Sequence, residues 1–199
     1  MFRRPLRLTV AGVLVAGVLA VAGCGPVQMG AAAIVGGQRI STEGLQQTVH
    51  DTLDAAEASH LQVRDQASLQ RGELTRKIDS VLIELAAKRR GITVSSGQVD
   101  RFISMQGGRR SLEAQRLRSG VPPEELRQDI RTQIMQQHLA DQMASGGETA
   151  RQQKAVVTTI QKLARETGVR VSPRYGRFDT DKLAVVPVKN TLSTPDDGP

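Results

Sequence analysis

The sequence predicts a mainly α protein in which a bundle of about six helices packs beside one small sheet. Three observations support this fold class. Apolar residues recur at helical spacing through most of the chain, and glycine and proline clusters separate these stretches. Two short extended runs, Ile34–Ile40 and Val169–Val171, are the plausible strand partners. With 39% hydrophobic and 24% charged residues, the composition is that of a folded domain.

The N-terminal residues 1–23 have the pattern of an export signal. Arg3, Arg4 and Arg7 precede an uncharged apolar run, Leu8–Leu19, and small residues follow that run. A helix that crosses a bilayer needs about 20 apolar residues. The apolar run is shorter, so we expect cleavage rather than a membrane span.

The segment Val21-Ala22-Gly23-Cys24 resembles a bacterial lipobox, and Cys24 is the only cysteine in the chain. Signal peptidase would recognise the three small residues, and the Cys24 thiolate would receive a diacylglyceryl group. Acyl chains such as palmitate would then hold the protein in membrane lipid on the extracytoplasmic side of the cell membrane. The alternatives are an uncleaved anchor or an ordinary signal peptide that happens to be followed by cysteine.

Charge and aromatic content argue against nucleic acid as a partner. The net charge of +7 falls to +4 without the signal, which leaves 24 basic and 20 acidic side chains. Aromatic residues make up only 2% of the chain, too few for a platform that stacks on bases. One cysteine also excludes an internal disulfide framework and a cysteine-cluster zinc site.

The N-terminal part of the mature chain begins with a lipidated tether at residues 24–33, which is rich in glycine and alanine. A hairpin is expected around Gly36-Gly37, because glycine accepts the positive φ of a tight primed turn. Ser41 or Thr42 would then cap the first helix. The apolar face of that helix consists of Leu45, Val49, Leu53 and Ala56, and a loop over Ser59–Ser68 follows.

The central part has the strongest helical pattern, Leu69–Arg90, which Gly91 ends. Its apolar positions are Leu74, Ile78, Val81, Leu82 and Leu85. Ser95 and Gln98 predict a capping box at the start of a short helix that carries Val99, Phe102 and Ile103. After Gly107-Gly108, a further short helix is expected over Ser111–Arg118.

The C-terminal part contains two more helices and a strand. Pro122-Pro123-Glu124-Glu125 is typical of a helix start, and this helix should reach Ala144. Another helix is predicted over Glu148–Thr167, before the strand Val169–Val171. The expected domain is residues 34–179, followed by a flexible tail at residues 180–199.

The sequence contains no catalytic or cofactor-binding motif that we can identify, and we expect neither enzymatic activity nor a metal or cofactor. His50 and Asp54 stand at helical spacing, but a solvated surface pair explains them better than a metal site; His60 and His138 are scattered. The neighbouring carboxylates Asp79 with Glu84, and Glu124 with Glu125, fit surface and capping roles better than acid–base catalysis.

One apolar stripe on the Pro122–Ala144 helix has two interpretations. At this spacing Met135, Leu139 and Met143 are typical core residues. Alternatively, they line a shallow groove in which flexible thioethers adapt to varied side chains of a polypeptide client.

Several segments, in this order, make the chain similar to the N-terminal chaperone domain of SurA-type periplasmic foldases, and especially to actinobacterial lipoproteins with that domain. They are Val35–Ser41, Gly91–Ser95 with Gln98-Val99-Asp100, Leu112–Leu117, Gly120–Arg127 with Ile130-Arg131, and Ser172–Asp179. The chain departs from the family at Gly36, where asparagine is frequent, and at Gly44, which weakens the first helix.

The resemblance implies a lipid-anchored holdase that binds unfolded or newly exported polypeptides without ATP and without catalysis. The alternative is an envelope adaptor with one dedicated protein partner. Nothing resembles a parvulin-type isomerase domain, which needs on the order of 90 further residues. The resemblance therefore does not imply prolyl isomerase activity.

Overall fold

A computed structural model describes residues 29–63, 65–143 and 149–188 of the 199-residue chain. The predicted export signal, Cys24, and residues 189–199 of the predicted tail lie outside the described residues. Within them the protein is mainly α, and the predicted fold class is confirmed.

Six α-helices and one short 3-10 turn make up most of the described chain. The helices are α1 (Thr42–Ala58), α2 (Gln66–Arg89), α3 (Ser96–Met105), α4 (Arg109–Leu117), α5 (Leu126–Met143) and α6 (Thr149–Thr167), and the 3-10 turn spans Pro123–Glu125. The strands are β1 (Ala31–Val35), β2 (Gln38–Ser41), β3 (Val169–Val171), β4 (Arg177–Asp179) and β5 (Ala184–Val186).

The two ends of the predicted domain meet in a three-stranded antiparallel sheet with the order β2-β1-β3. Val35 pairs with Gln38 across the hairpin and with Val169 on the other side. Gly36 and Gly37 form the turn at φ values of 55° and 86°, which residues with a side chain rarely adopt. Both the hairpin and its pairing with the C-terminal strand are therefore confirmed.

The sheet begins earlier than the sequence indicates. Residues 31–33 were expected to belong to the tether, but Ala31, Ala32 and Ala33 open β1 and are buried. Their small side chains allow the helices to pack closely on the sheet. Alanine has no strand preference, so the composition of this segment concealed the strand.

The helix at the centre of the fold is α2, which packs against α1, α5, α6 and β1. It starts three residues before the predicted Leu69, because the Asp65 side chain accepts hydrogen bonds from the N–H groups of Ala67 and Ser68. The predicted apolar positions Leu74, Ile78, Val81 and Leu82 are buried. Although α2 has 24 residues, neither it nor another helix in the described part is long and apolar enough to cross a bilayer.

The helices after α2 agree with the sequence to within a few residues. The predicted capping box is present: the Ser95 hydroxyl accepts from the Gln98 N–H, and the Gln98 side chain accepts from the Ser95 N–H. Helices α3 and α4 close over the first half of α5 around a second core cluster. Its buried members are Val99, Ile103, Leu112, Leu126, Ile130 and Ile134.

The predicted flexible tail is wrong for its first residues, because β4 and β5 form an antiparallel hairpin. Val185 of β5 is buried in the main core. Gly176, just before β4, lies so close to β5 that a Cβ atom there would be 2.2 Å from the Val186 carbonyl oxygen. The folded domain therefore extends at least through β5.

Candidate functional site

A groove with a volume of about 520 Å³ follows one face of α2 and is flanked by α5 and α6. Small-molecule sites have volumes of about 300–1,000 Å³, so it can hold side chains of a bound segment. Its lining residues on α2 include Glu73, Arg76, Lys77, Asp79, Ser80, Ile83 and Glu84, and those on α5 include Gln128, Asp129, Thr132, Gln133 and Gln136.

One side of the groove is apolar. Val156, Val157 and Ile160 of α6 lie there together with Ile83 of α2 and Leu183 of the β4–β5 turn. Val157 is 43% exposed, which is unusual for a valine on a helix whose other apolar face is in the core. Val156, Ile160 and Ile83 are buried core residues, so the aliphatic surface open to a ligand is that of Val157 and the half-buried Leu183.

The crossing of α2 and α5 is polar. The hydroxyl oxygens of Ser80 and Thr132 are hydrogen-bonded at 2.9 Å, and the Gln128 amide donates to Ser80 at 3.2 Å. Small hydroxyl side chains allow the two helices to approach closely. They also place hydrogen-bonding groups in the lining of the groove.

Two ion pairs and a hydroxyl connect the groove to the neighbouring elements. Lys77 Nζ lies 2.8 Å from Glu125 Oε1, and the Thr48 hydroxyl of α1 donates to the same oxygen at 3.1 Å. Arg116 Nε of α4 lies 3.5 Å from Asp129 Oδ2. Glu125 is therefore a structural partner, whereas Glu124 is exposed.

Glu73 is a buried carboxylate held by Arg76. One guanidinium nitrogen of Arg76 lies 3.1 and 3.2 Å from the two Glu73 oxygens and donates to the Gly120 carbonyl at 2.8 Å. Burial raises the pKa of Glu73, and the Arg76 charge opposes this rise. The arrangement joins α2 to the turn that follows α4.

Asp79 has no comparable partner. The structure shows neither a hydrogen bond nor an ion pair to its carboxyl group within the described part of the chain, and its Oδ1 atom is shielded from solvent. Burial raises the pKa of Asp79 to about 7. The expected surface role of Asp79 is therefore wrong, whereas Glu84 is exposed as expected.

The stripe proposed from the sequence as a client contact does not form the groove. Leu139 is fully buried in the main core, so it is not available to a client in this structure. Met135 and Met143 are half-buried and pack against the same core. None of the three is among the residues that line the groove.

The remaining candidates lie apart from the groove. His50 Nδ1 lies 3.4 Å from Asp54 Oδ1, and both side chains are largely exposed, as expected of a surface pair. Within the described residues no three side chains of the metal-ligating types stand together. Cys24 and the segment Val21-Ala22-Gly23 lie outside the described residues.

The groove combines aliphatic surface, hydroxyl groups and carboxylates in one concavity, which suits reversible binding of an extended polypeptide. Sequence reasoning missed it, because its polar members belong to faces of α2 and α5 that look solvated in isolation. One signal was available. Asp79 immediately follows Ile78 and precedes Val81, in the most apolar part of the longest helix.

Comparison with known proteins identified one family. The family model described as SurA-like N-terminal domain matches residues 1–140. This match covers more than half of the chain and ends inside α5, so α6 and the β4–β5 hairpin lie beyond it. No match was found among curated proteins or among solved structures.

Proposed function

Because the chain belongs to the SurA-like N-terminal domain family, a family of chaperone type, we propose that it is a holdase for unfolded or newly exported polypeptides. It binds them without ATP and without catalysis. The observation that carries this proposal is the open groove along α2, whose lining combines aliphatic and polar side chains.

The composition of the groove favours weak and reversible capture. Val157 gives contact area to aliphatic side chains, while Gln128, Gln133 and Gln136 can hydrogen-bond to a peptide backbone. None of the described residues that line the groove is aromatic, and aromatic anchors usually provide much of the energy of a tight interface. Low affinity for many sequences is what a holdase requires.

Suppression of aggregation tests the proposal. The mature chain with Cys24→Ser is mixed with a chemically denatured client, and light scattering is followed on dilution. We expect lower scattering at a several-fold molar excess of the protein. Val157→Asp should remove at least about half of this effect, because it places a charge on the aliphatic side.

Met105→Asp is the matched control, since Met105 is 76% exposed and does not line the groove. It should behave as the unchanged protein. Unaltered scattering with the unchanged protein would contradict the holdase proposal. An equal loss of suppression in both variants would indicate that the client binds outside the groove.

We further propose that Cys24 carries the membrane anchor, which places the domain on the extracytoplasmic side of the cell membrane. The support is the lipobox-like Val21-Ala22-Gly23 before the only cysteine. Cys24→Ala should move the protein from the membrane fraction to the soluble fraction. Retention of the variant in membranes would contradict lipidation at this residue.

A dedicated envelope adaptor is the second candidate. It is favoured by the small number of exposed large apolar side chains in the described residues, which are Met29, Val63, Met105, Val157 and Val188. Crosslinking in cells separates the two functions. A holdase gives many weak products, and an adaptor gives one dominant product.

A further inference from the structure

We propose that the groove along α2 selects polypeptide segments that carry a lysine or arginine among aliphatic residues, and that Asp79 is the residue that recognises the basic side chain. This inference rests on the proposed function, because it names the kind of segment that the groove accepts.

The lining of the groove has more acidic than basic side chains. Among the described residues, five acidic side chains and three basic ones line the groove, although the whole chain has a net charge of +7, or +4 without the predicted signal. The acidic members are Glu73, Asp79, Glu84, Glu125 and Asp129, and the basic members are Arg76, Lys77 and Arg116. The groove is thus an acidic concavity in a basic protein, which complements a cationic ligand.

The charged side chains of the groove differ in whether they have a partner within the protein. Arg76 is engaged by Glu73, Lys77 by Glu125, and Arg116 by Asp129. All three basic groups therefore have an acidic partner within the protein. The half-buried Asp79 has none among the described residues, although carboxylates shielded from water are normally paired or hydrogen-bonded. A cation from outside would supply the missing partner.

A lysine or arginine side chain suits the groove in shape as well as in charge. Such a side chain carries an apolar stem and a charged end. The exposed Val157 and the half-buried Leu183 form the accessible aliphatic side of the same groove that Asp79 lines. The stem can lie on this side while the charged end reaches the carboxylate, and aliphatic neighbours in the segment can cover Val157.

The protonation of the Asp79 carboxyl should depend on whether a cation is bound. Burial alone raises the pKa of Asp79 to about 7, so the carboxyl is partly protonated near neutral pH. A bound cation favours the ionised form and lowers this pKa. Binding of a basic segment should therefore release a proton, and it should weaken as the pH falls below about 7.

The test compares two labelled peptides that differ at one central position, lysine in one and norleucine in the other, with aliphatic flanks. Norleucine keeps most of the stem and lacks the charge. Affinities are measured by fluorescence anisotropy at about pH 8, with the full mature chain carrying Cys24→Ser and with its Asp79→Asn variant. Glu57→Gln is the matched control, because Glu57 is an exposed carboxylate of α1 that does not line the groove.

We expect the unchanged protein to bind the lysine peptide about tenfold more tightly than the norleucine peptide. Asp79→Asn should abolish this difference, whereas Glu57→Gln should keep it. Lowering the pH from about 8 to about 6 should reduce the lysine advantage severalfold in the unchanged protein only.

Four outcomes would overturn the inference. Equal affinities of the two peptides for the unchanged protein, or a lysine preference that persists in Asp79→Asn, would refute the role of Asp79 while the holdase proposal stands. If neither peptide binds and client aggregation is not suppressed, both proposals fail. If Asp79→Asn changes only the sedimentation of the protein, the groove belongs to a second copy of the chain.

Discussion

The backbone N–H of Val185 donates a hydrogen bond of 2.9 Å to the hydroxyl oxygen of Thr75. This contact joins the last strand to the central helix across 110 residues of sequence. Val185 is also buried in the main core, so the β4–β5 hairpin is part of the folded domain. Its contribution to stability can be measured.

Thr75→Val should lower the free energy of unfolding by about 1–2 kcal/mol, because the Val185 N–H would lose its acceptor. Urea denaturation checks this value. Thr75→Ser keeps the hydroxyl group and should lose less. A loss in Thr75→Ser without a loss in Thr75→Val would indicate that the methyl group, not the hydrogen bond, matters at this position.

Truncation after Asp179 should lower the free energy of unfolding by roughly 3 kcal/mol, because it removes β5 and uncovers the core that Val185 fills. Truncation after Val188 keeps the hairpin and is the control. Thermal unfolding of the two truncated chains would detect the difference. The same melting temperature for both would mean that β5 adds nothing to the domain.

Gly176→Ala should lower the free energy of unfolding by about 2 kcal/mol or more. The new Cβ would stand 2.2 Å from the Val186 carbonyl oxygen, at a φ of 125°. Gly37→Ala is the control, because its φ of 86° is also positive but no atom lies within 4 Å of a Cβ there. The control should lose only about 1 kcal/mol, and similar losses would argue against the close approach.

Arg76→Met should lower the free energy of unfolding by about 3 kcal/mol, because it leaves the Glu73 carboxylate buried without its partner. The Gly120 carbonyl would also lose a donor. Adding Glu73→Gln to this variant should restore part of the loss, since the amide carries no charge. A double variant less stable than the single one would contradict this account.

Asp79 should make stability depend on pH. Its pKa is about 7 in the folded protein against an ordinary value of 3.8, so between these values the native state holds a proton that the unfolded chain has released. The free energy of unfolding should therefore fall as the pH rises through this interval and level off above it. At about pH 8 Asp79→Asn should be more stable than the unchanged protein by about 2 kcal/mol. At about pH 4 the two should be nearly equal.

Denaturant titrations at both pH values check this prediction, with Glu84→Gln as the exposed control. Parallel pH profiles of the unchanged protein and Asp79→Asn would mean that the carboxyl is ionised in the native state throughout. The result would bear on the groove as well, since a permanently ionised Asp79 would bind cations without pH dependence.

Local patterns predicted most of the fold. The Ser95–Gln98 capping box, the Gly36-Gly37 turn and the apolar spacing of α2 each depend on a few neighbouring residues, so they can be recognised from sequence. The strands β4 and β5 could not, because three residues are too few for an alternating pattern.

The groove could not be predicted from the sequence, for a different reason. Whether Leu139 faces a client or the core depends on how α5 packs against α2 and α6, and periodicity gives only the stripe on which it lies. The isolation of Asp79 likewise depends on which charges the fold places elsewhere. Arg76 is one turn away on α2, but it is engaged by Glu73 and Gly120.

Strand β1 begins at Ala31, only seven positions after Cys24. Seven extended residues reach at most about 25 Å. If Cys24 is acylated as proposed, this short linker keeps the sheet end of the protein within one domain diameter of the lipid headgroups. Capture would then be confined to a thin layer next to the bilayer, where exported chains emerge before they can diffuse away.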